Sequence, residues 1–365
     1  AEGQLEPACA ESYTVSEDGL TYTFTLRDGL KWSNGEALDA SDFVYSWKRA
    51  AAPETAADYS YLCEMFDGFT SEAGLPDDVV VASEDGKTLT VTLKAVCPYF
   101  LDLCAFPFFF PVYEEEVEAS KTAENPAGTW AQEAGFVSNG AYTLSAWNHD
   151  SDMTYVKNDN YWDKDNVAIE DAQVRVIKDA AAALSAYQAG ELSQVKLDSA
   201  NVVAYKEDPE FSQEIDFRTS YVQFNLTDDV MSNVNMRKAL TDNILADGSA
   251  PGFGLVADGM SGDGEKTFRE LNGDVSPYDP EQAKEYYDKA VEELGSAPSE
   301  VTLLVADDSV SKSVATFIQS ELVTTLGLNV VIDTKTVQGR GELMDANNYQ
   351  FAVTAWGADY DDAMT

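Results

Sequence analysis

The stretch Tyr22-Thr-Phe-Thr-Leu-Arg-Asp-Gly-Leu-Lys-Trp-Ser-Asn-Gly-Glu-Ala-Leu-Asp-Ala-Ser-Asp-Phe-Val-Tyr-Ser-Trp-Lys-Arg49 packs a strand, a turn, a helix cap and an amphipathic helix into one run. Tyr22, Phe24 and Leu26 alternate with Thr23, Thr25 and Arg27, the period of a half-buried strand. Asp28-Gly29 turns the chain, and Trp32 and a second turn at Ser33-Asn34-Gly35 follow. Asp39 or Ser41 then caps a helix whose Phe43, Val44 and Trp47 are expected on one face.

Outward from this run, short strands alternate with helices and no repeat of about 20–50 residues appears, which argues against a solenoid or propeller. Val79 to Leu93 reads as a hairpin turning at Asp85-Gly86, and Pro98 to Pro107 as a short helix between prolines. Strands are predicted from Tyr142 to Trp147, from Met153 to Lys157 and from Ala172 to Ile177, followed by a helix from Ala180 to Gln188 that stops at Gly190. A further strand begins near Ser220. Asn235 is expected to cap a helix from Met236 to Leu240, and the Gly- and Asp-rich stretch 247–264 is expected to be an exposed loop. Asp279-Pro280 opens a helix that Gly295 closes. Val301–Val305, Ser311–Leu326 and Asn329–Asp333 form a β–α–β unit, for which a parallel, right-handed crossover is expected, and Asn348 to Trp356 adds one more strand.

The chain has 365 residues, 44% of them hydrophobic and 11% aromatic, enough for about two domains with substantial cores. Its 23 basic and 65 acidic residues give a net charge of -42, which argues against nucleic acid or anionic lipid as a partner. The acidity fits a solvated exterior surface; a face attracting cationic ligands is the alternative. No apolar run reaches the roughly 18 residues of a membrane span, and Ala1-Glu-Gly-Gln-Leu-Glu6 does not read as a signal peptide. The four cysteines (Cys9, Cys63, Cys97, Cys104) lack CxxC spacing and His149 is the single histidine, so no metal site and no cofactor is expected. Cys97 and Cys104 read as buried small hydrophobes, with a disulfide as the alternative.

No catalytic constellation emerges. Carboxylates are too numerous for any pair to be informative, no serine sits in a GxSxG elbow, and Gly252-Phe-Gly254 lacks the lysine and preceding strand of a phosphate cradle. His149 is read as an exposed loop residue. The segment that stands out is Ala355-Trp-Gly-Ala-Asp-Tyr360, where an apolar strand delivers Trp356, Gly357 and Asp359 at its C-terminal end, the end at which open α/β sheets bind ligands. Asp359 can pair with an ammonium group, Trp356 can form an aromatic wall, and Gly357 admits another backbone. On the residues alone, a turn capped by Asp359 with Trp356 as core is an equal reading.

Several of these segments together resemble the extracellular solute-binding proteins of family 5, the peptide receptors of ABC importers. The resemblance rests on the opening run, Pro98-Tyr-Phe-Leu101, Val137-Ser-Asn-Gly-Ala-Tyr142, Asn158-Asp-Asn-Tyr-Trp-Asp163, Tyr187-Gln-Ala-Gly-Glu191, Phe224-Asn225, Val234-Asn-Met-Arg-Lys-Ala-Leu240, Tyr278-Asp-Pro280 and Trp356-Gly-Ala-Asp-Tyr360. It implies an α/β, two-lobed periplasmic-binding-protein type II-like fold with mixed sheets and a small extra N-terminal subdomain. Residues 1–117 would be that subdomain, 118–222 the remainder of lobe I and 223–365 lobe II.

The resemblance further implies a non-enzymatic, extracytoplasmic receptor, periplasmic or a cell-surface lipoprotein, monomeric, and partnered by ABC permease subunits. Its ligand would be a peptide with a free N-terminus: Asp359 takes the α-ammonium, main-chain groups of Gly357 and Ala358 pair with the peptide as an added strand, and Tyr59 lines the peptide site. Departures are expected too. The segment forming the first strand of lobe I, the return to lobe I and a run near residues 240–242 do not match, which implies part of a longer lipoprotein. The position of the family's carboxylate-binding arginine is hydrophobic, near Val353, and Arg340 does not align with it. Other solutes on the same fold (a metal chelate, haem or an opine), peptide sensing, and a secreted hydrolase are the competing readings.

Overall fold

The computed structural model describes residues 5–213, 218–241, 256–257, 260, 262, 266–273 and 278–359. The chain divides into two compact units, Ala1–Val176 and Ile177–Thr365.

In the first unit, β1 (Ala10–Val15), β2 (Thr21–Leu26), β3 (Val80–Ala82) and β4 (Thr88–Thr92) form an antiparallel sheet in the order β1-β2-β4-β3. The alternation read from the sequence is the burial pattern of β2: Tyr22, Phe24 and Leu26 are buried, and Tyr22 and Phe24 face Val91 and Leu89 of β4. The β3–β4 hairpin turns where Asp85 accepts from the Lys87 amide at 3.1 Å and Gly86 takes φ of 70°, a conformation favouring glycine.

Helix α1 (Ala40–Ala51) is capped by Asp39, whose Oδ1 accepts from the Ser41 amide at 2.7 Å, while Asp42 Oδ2 accepts from the Asp39 amide at 2.8 Å. Its buried face is Ala40, Trp47, Ala50 and Ala51; Phe43 and Val44 are only half-buried, because the alanines let α1 settle against β3 and β4 with Trp47 as the one large anchor. Trp47 Nε1 donates to Phe109 O at 2.7 Å, and its ring lies 4.9 Å from that of Phe109 and 6.0 Å from that of Phe66. Helix α2 (Phe100–Cys104) brings Phe100 into the same cluster, 4.7 Å from Tyr22. Rings therefore supply much of this core. Helix α3 (Glu114–Ser120) begins with three glutamates at the positive end of its dipole and buries Val117.

A second antiparallel sheet, β5 (Tyr142–Asn148), β6 (Asp152–Lys157) and β7 (Asp171–Arg175), closes the unit. His149, just past β5, stacks on Trp147 at 4.3 Å and is half exposed. The four cysteines are free; Cys63 and Cys97 are buried and Cys104 is half-buried.

The second unit begins with α4 (Ala180–Gln188) and α5 (Ser199–Tyr205). Strand β8 (Arg218–Phe224), which spans the expected 222/223 boundary, leads to α6 (Val234–Thr241), α7 (Phe268–Asn272) and α8 (Pro280–Leu294). There follow β9 (Val301–Ala306), α9 (Ser309–Leu326), β10 (Val330–Lys335), α10 (Val337–Asp345) and β11 (Phe351–Gly357). The sheet order is β10-β9-β11-β8, with β9 parallel to both β10 and β11, and β11 antiparallel to β8. The expected parallel pairing within the β–α–β unit is therefore present. One face of the sheet, through Val301, Leu303, Val305 and Phe351, forms a buried core with Ala315, Ile318 and Leu322 of α9, Ala283 and Ala290 of α8, and Met236 and Leu240 of α6.

Two local expectations change, and a third is largely outside the described residues. Asn233, not Asn235, caps α6, accepting from the Met236 amide at 2.9 Å, while Asn235 lies inside the helix and donates to Glu293. Helix α9 starts before Ser311 because Asp308 accepts from the Ser311 amide at 2.8 Å. The stretch 247–264 lies for the most part outside the described residues, although its Met260 is fully buried.

Candidate functional site: the free edge at the end of β11

Strand β11 has two neighbours, and they leave it at different points. Pairing with β8 runs its whole length, from Phe351 opposite Phe224 to Gly357 opposite Arg218. Pairing with β9 covers only Phe351 and Ala352, opposite Leu303 and Leu304. Asn225 N donates to Gln350 O at 2.9 Å, which makes 225/350 a hydrogen-bonded pair of the antiparallel ladder. By the alternation of that ladder, Ala352, Thr354 and Trp356 turn their main-chain groups toward β8. Val353, Ala355 and Gly357 turn theirs away, to the side from which β9 has departed. Ala355 and Gly357 thus present N–H and C=O groups on an edge without a ladder partner among the described residues, a template for another extended chain.

The side chains at this end suit a ligand. Trp356 keeps 40% of its surface exposed, and Gly357 is exposed. A Cβ placed on Gly357 would meet no atom within 4 Å, so internal packing does not demand the glycine. Asp359, two residues beyond the strand, is half-buried, and burial raises its carboxyl above the ordinary aspartate value of 3.8. A cation alongside would reverse that shift.

The predicted site residues fall in both units. Trp356, Gly357, Ala358 and Asp359 are brought together at the end of β11 in the second. Tyr59 belongs to the first, preceding a 3₁₀ turn at Ser60–Met65; it is half-buried, with its ring 5.9 Å from Tyr61 and 5.0 Å from Phe106. Ala355 escapes sequence reasoning, since only the ladder pattern separates it from its neighbours. No group of His, Cys, Asp and Glu suited to a metal occurs among the described residues.

A cavity of about 480 Å³ lies at the opposite end of the same sheet, lined by Asn225, Asp228, Thr302, Asp333 and Gln350 among others. Its polar groups serve the fold: Asp228 Oδ1 accepts from the Val230 and Met231 amides at 2.9 and 3.0 Å, and Asn225 Nδ2 donates to Asn347 O and Tyr349 O at 2.9 and 2.7 Å.

A mixed α/β chain with an open strand edge, an exposed indole and a half-buried carboxylate at its tip has the features of a binding protein. The family model of the bacterial extracellular solute-binding proteins, family 5, matches residues 4–365, and the chain belongs to that family. It is 32% identical to the dipeptide-binding protein DppE of Bacillus subtilis, over 99% of this chain and 68% of that protein. Identity to the oligopeptide-binding protein OppA of the same organism is 31%, over 99% of this chain and 69% of the relative. Among solved structures, peptide-bound OppA of Listeria monocytogenes superposes with a TM-score of 0.89 at 31% identity, covering 99% of this chain and 74% of that one. The fold is accordingly periplasmic-binding-protein-like, and the family is one of extracellular binding proteins. No described helix is long and apolar enough to cross a membrane.

Proposed function

We propose that this protein captures oligopeptides with free N-termini outside the cytoplasm and delivers them to the permease subunits of an ABC importer. One observation carries the reading: the main-chain edge at Ala355 and Gly357, without a ladder partner among the described residues, runs directly into Asp359. A peptide added along that edge exchanges main-chain hydrogen bonds, which are blind to side-chain identity, and places its ammonium near the carboxylate. Trp356 is an aromatic wall beside that edge, Ala358 continues the main-chain contact, and Tyr59 is the ligand-contacting residue expected from the first unit. The relatives bear names of dipeptide- and oligopeptide-binding proteins, which supports the ligand class.

The reading includes binding without catalysis, no cofactor, a monomer, and lobes built from 1–117 with 118–222 and from 223–365. Periplasm or cell-surface lipoprotein is the location it implies. The test is thermal stabilisation by a mixture of short peptides. Free N-terminal peptides should raise Tm and their N-acetylated forms should not; equal stabilisation by both removes the assigned role of Asp359.

A further inference from the structure

The fork between β9 and β11 has a wedge in it. Val301 N donates to Asn329 O at 2.9 Å, on the β10 side, whereas Thr302 N donates to the Gln350 side chain at 2.7 Å, on the β11 side. Thr302, Leu304 and Ala306 therefore turn their main-chain groups toward β11, and the rung after Leu304 would join Ala306 N–H to Val353 C=O. That rung is absent from the β9–β11 pairing, which ends at Leu304 and Ala352. Val353 O instead accepts from Arg340 Nη1 at 3.0 Å.

We propose that Arg340 is a positioning residue for the edge described above: its guanidinium takes the place of the next rung and holds β11 away from β9. The helix presenting it is anchored. Thr336 caps α10 by accepting from the Gly339 amide at 3.1 Å, and Arg340 N donates to Thr336 O at 2.8 Å. Helix α10 follows β10 directly and packs on β9 and β10. Two observations set this arginine apart from one that simply covers apolar surface. Its Nε is buried without a hydrogen-bond partner among the described residues, a costly state that an apolar side chain of similar length would avoid. Among the described residues its guanidinium donates to a main-chain carbonyl and no carboxylate forms an ion pair with it, in a chain with 65 acidic residues.

The inference rests on the peptide-capture reading for its consequence but not for its geometry. Arg340→Met removes the donor and keeps the length; Arg340→Lys restores one donor. Amide exchange across 353–357 in the ligand-free protein tests the wedge directly. In Arg340→Met, the Ala355 amide should become protected by about tenfold or more as β11 closes on β9. Peptide affinity should fall by about tenfold, and Arg340→Lys should recover most of both. Exchange and affinity of Arg340→Met equal to wild type would overturn the proposal. So would an Arg340→Lys variant whose Ala355 amide is protected about tenfold or more beyond wild type, a comparison that is decisive even if Arg340→Met does not fold. If wild type binds no peptide, the functional reading fails while the exchange result still decides on the wedge.

Discussion

Asn225 donates its main-chain N–H to Gln350 O across 2.9 Å, and this rung decides which groups of β11 face outward. Shifted by one residue, the ladder would point Trp356 rather than Ala355 and Gly357 at the free edge. The Asn225 side chain locks the rung. It is 4% exposed, its Nδ2 donates to Asn347 O and Tyr349 O, and its Oδ1 accepts from Thr227 N at 3.0 Å and Thr227 Oγ1 at 2.7 Å.

Replacing this residue separates donor from acceptor roles. Asn225→Ala leaves two carbonyls unpaired and should destabilise by about 1–3 kcal/mol in urea unfolding. Asn225→Asp sets an acceptor against those same carbonyls and should cost more at neutral pH. An aspartate variant as stable as wild type would show that the side chain does not pin the turn.

Much of this architecture is legible in the chain. The period-2 run in β2, the Asp85-Gly86 turn, and the β–α–β order of β9, α9 and β10 are local patterns, so residue spacing reveals them. Choices between equivalent residues are not. Asn233 and Asn235 are both able to cap α6, and Glu293 of α8 accepts from the side-chain amides of both; what separates them is where the helix begins, since Asn233 alone stands before it and accepts from the Met236 amide. Phe43 and Val44 fit the inward face of a helix, but the surface on which α1 rests determines that Trp47 and the alanines are buried instead. Trp356 and Asp359 could be picked out because a tryptophan, a glycine and an aspartate at a strand's end carry recognisable chemistry. Ala355 and Arg340 could not, since their roles come from the point at which β9 stops pairing with β11.

Tyr59 contributes an aromatic surface, its ring lying 5.9 Å from Tyr61 and 5.0 Å from Phe106. If it acts as a wall for the ligand, the ring matters more than the hydroxyl. Tyr59→Ala should weaken peptide binding by about 1–2 kcal/mol, roughly five- to thirtyfold in Kd by calorimetry. Tyr59→Phe should stay within about twofold of wild type. Unchanged affinity in Tyr59→Ala would take the residue out of the site.

The thiols should be chemically silent in the folded protein. Burial pushes Cys63 and Cys104 up to about 12 and raises Cys9 as well, keeping each as the unreactive thiol at ordinary pH. Mass spectrometry after iodoacetamide treatment at about pH 8, below the free-cysteine value, should find these three unmodified without denaturant and alkylated with it. Fast labelling of the native protein would contradict their burial.

Asp359 yields the sharpest separation of binding from folding. Its folded-state carboxyl titrates above 3.8 because burial disfavours the charged form, so the ionised group lowers stability once pH exceeds the unfolded value. Asp359→Asn removes that cost, and Tm at neutral pH should be equal to or above that of wild type. Ligand binding should respond in the opposite direction. Loss of a partly buried charge partner for the peptide ammonium should cost about 2–5 kcal/mol, at least about thirtyfold in Kd. The pH profile supplies a second signature. Wild-type affinity should fall on the acid side from a pH above the ordinary aspartate range, because the carboxyl must lose its proton to receive the ammonium. It should fall again above about pH 8, where the peptide's own α-amine deprotonates. Calorimetry across pH should show Asp359→Asn without the acid limb of Asp359 and with the alkaline limb weakened. An Asn variant that keeps wild-type affinity and both limbs would place the ammonium elsewhere in the protein.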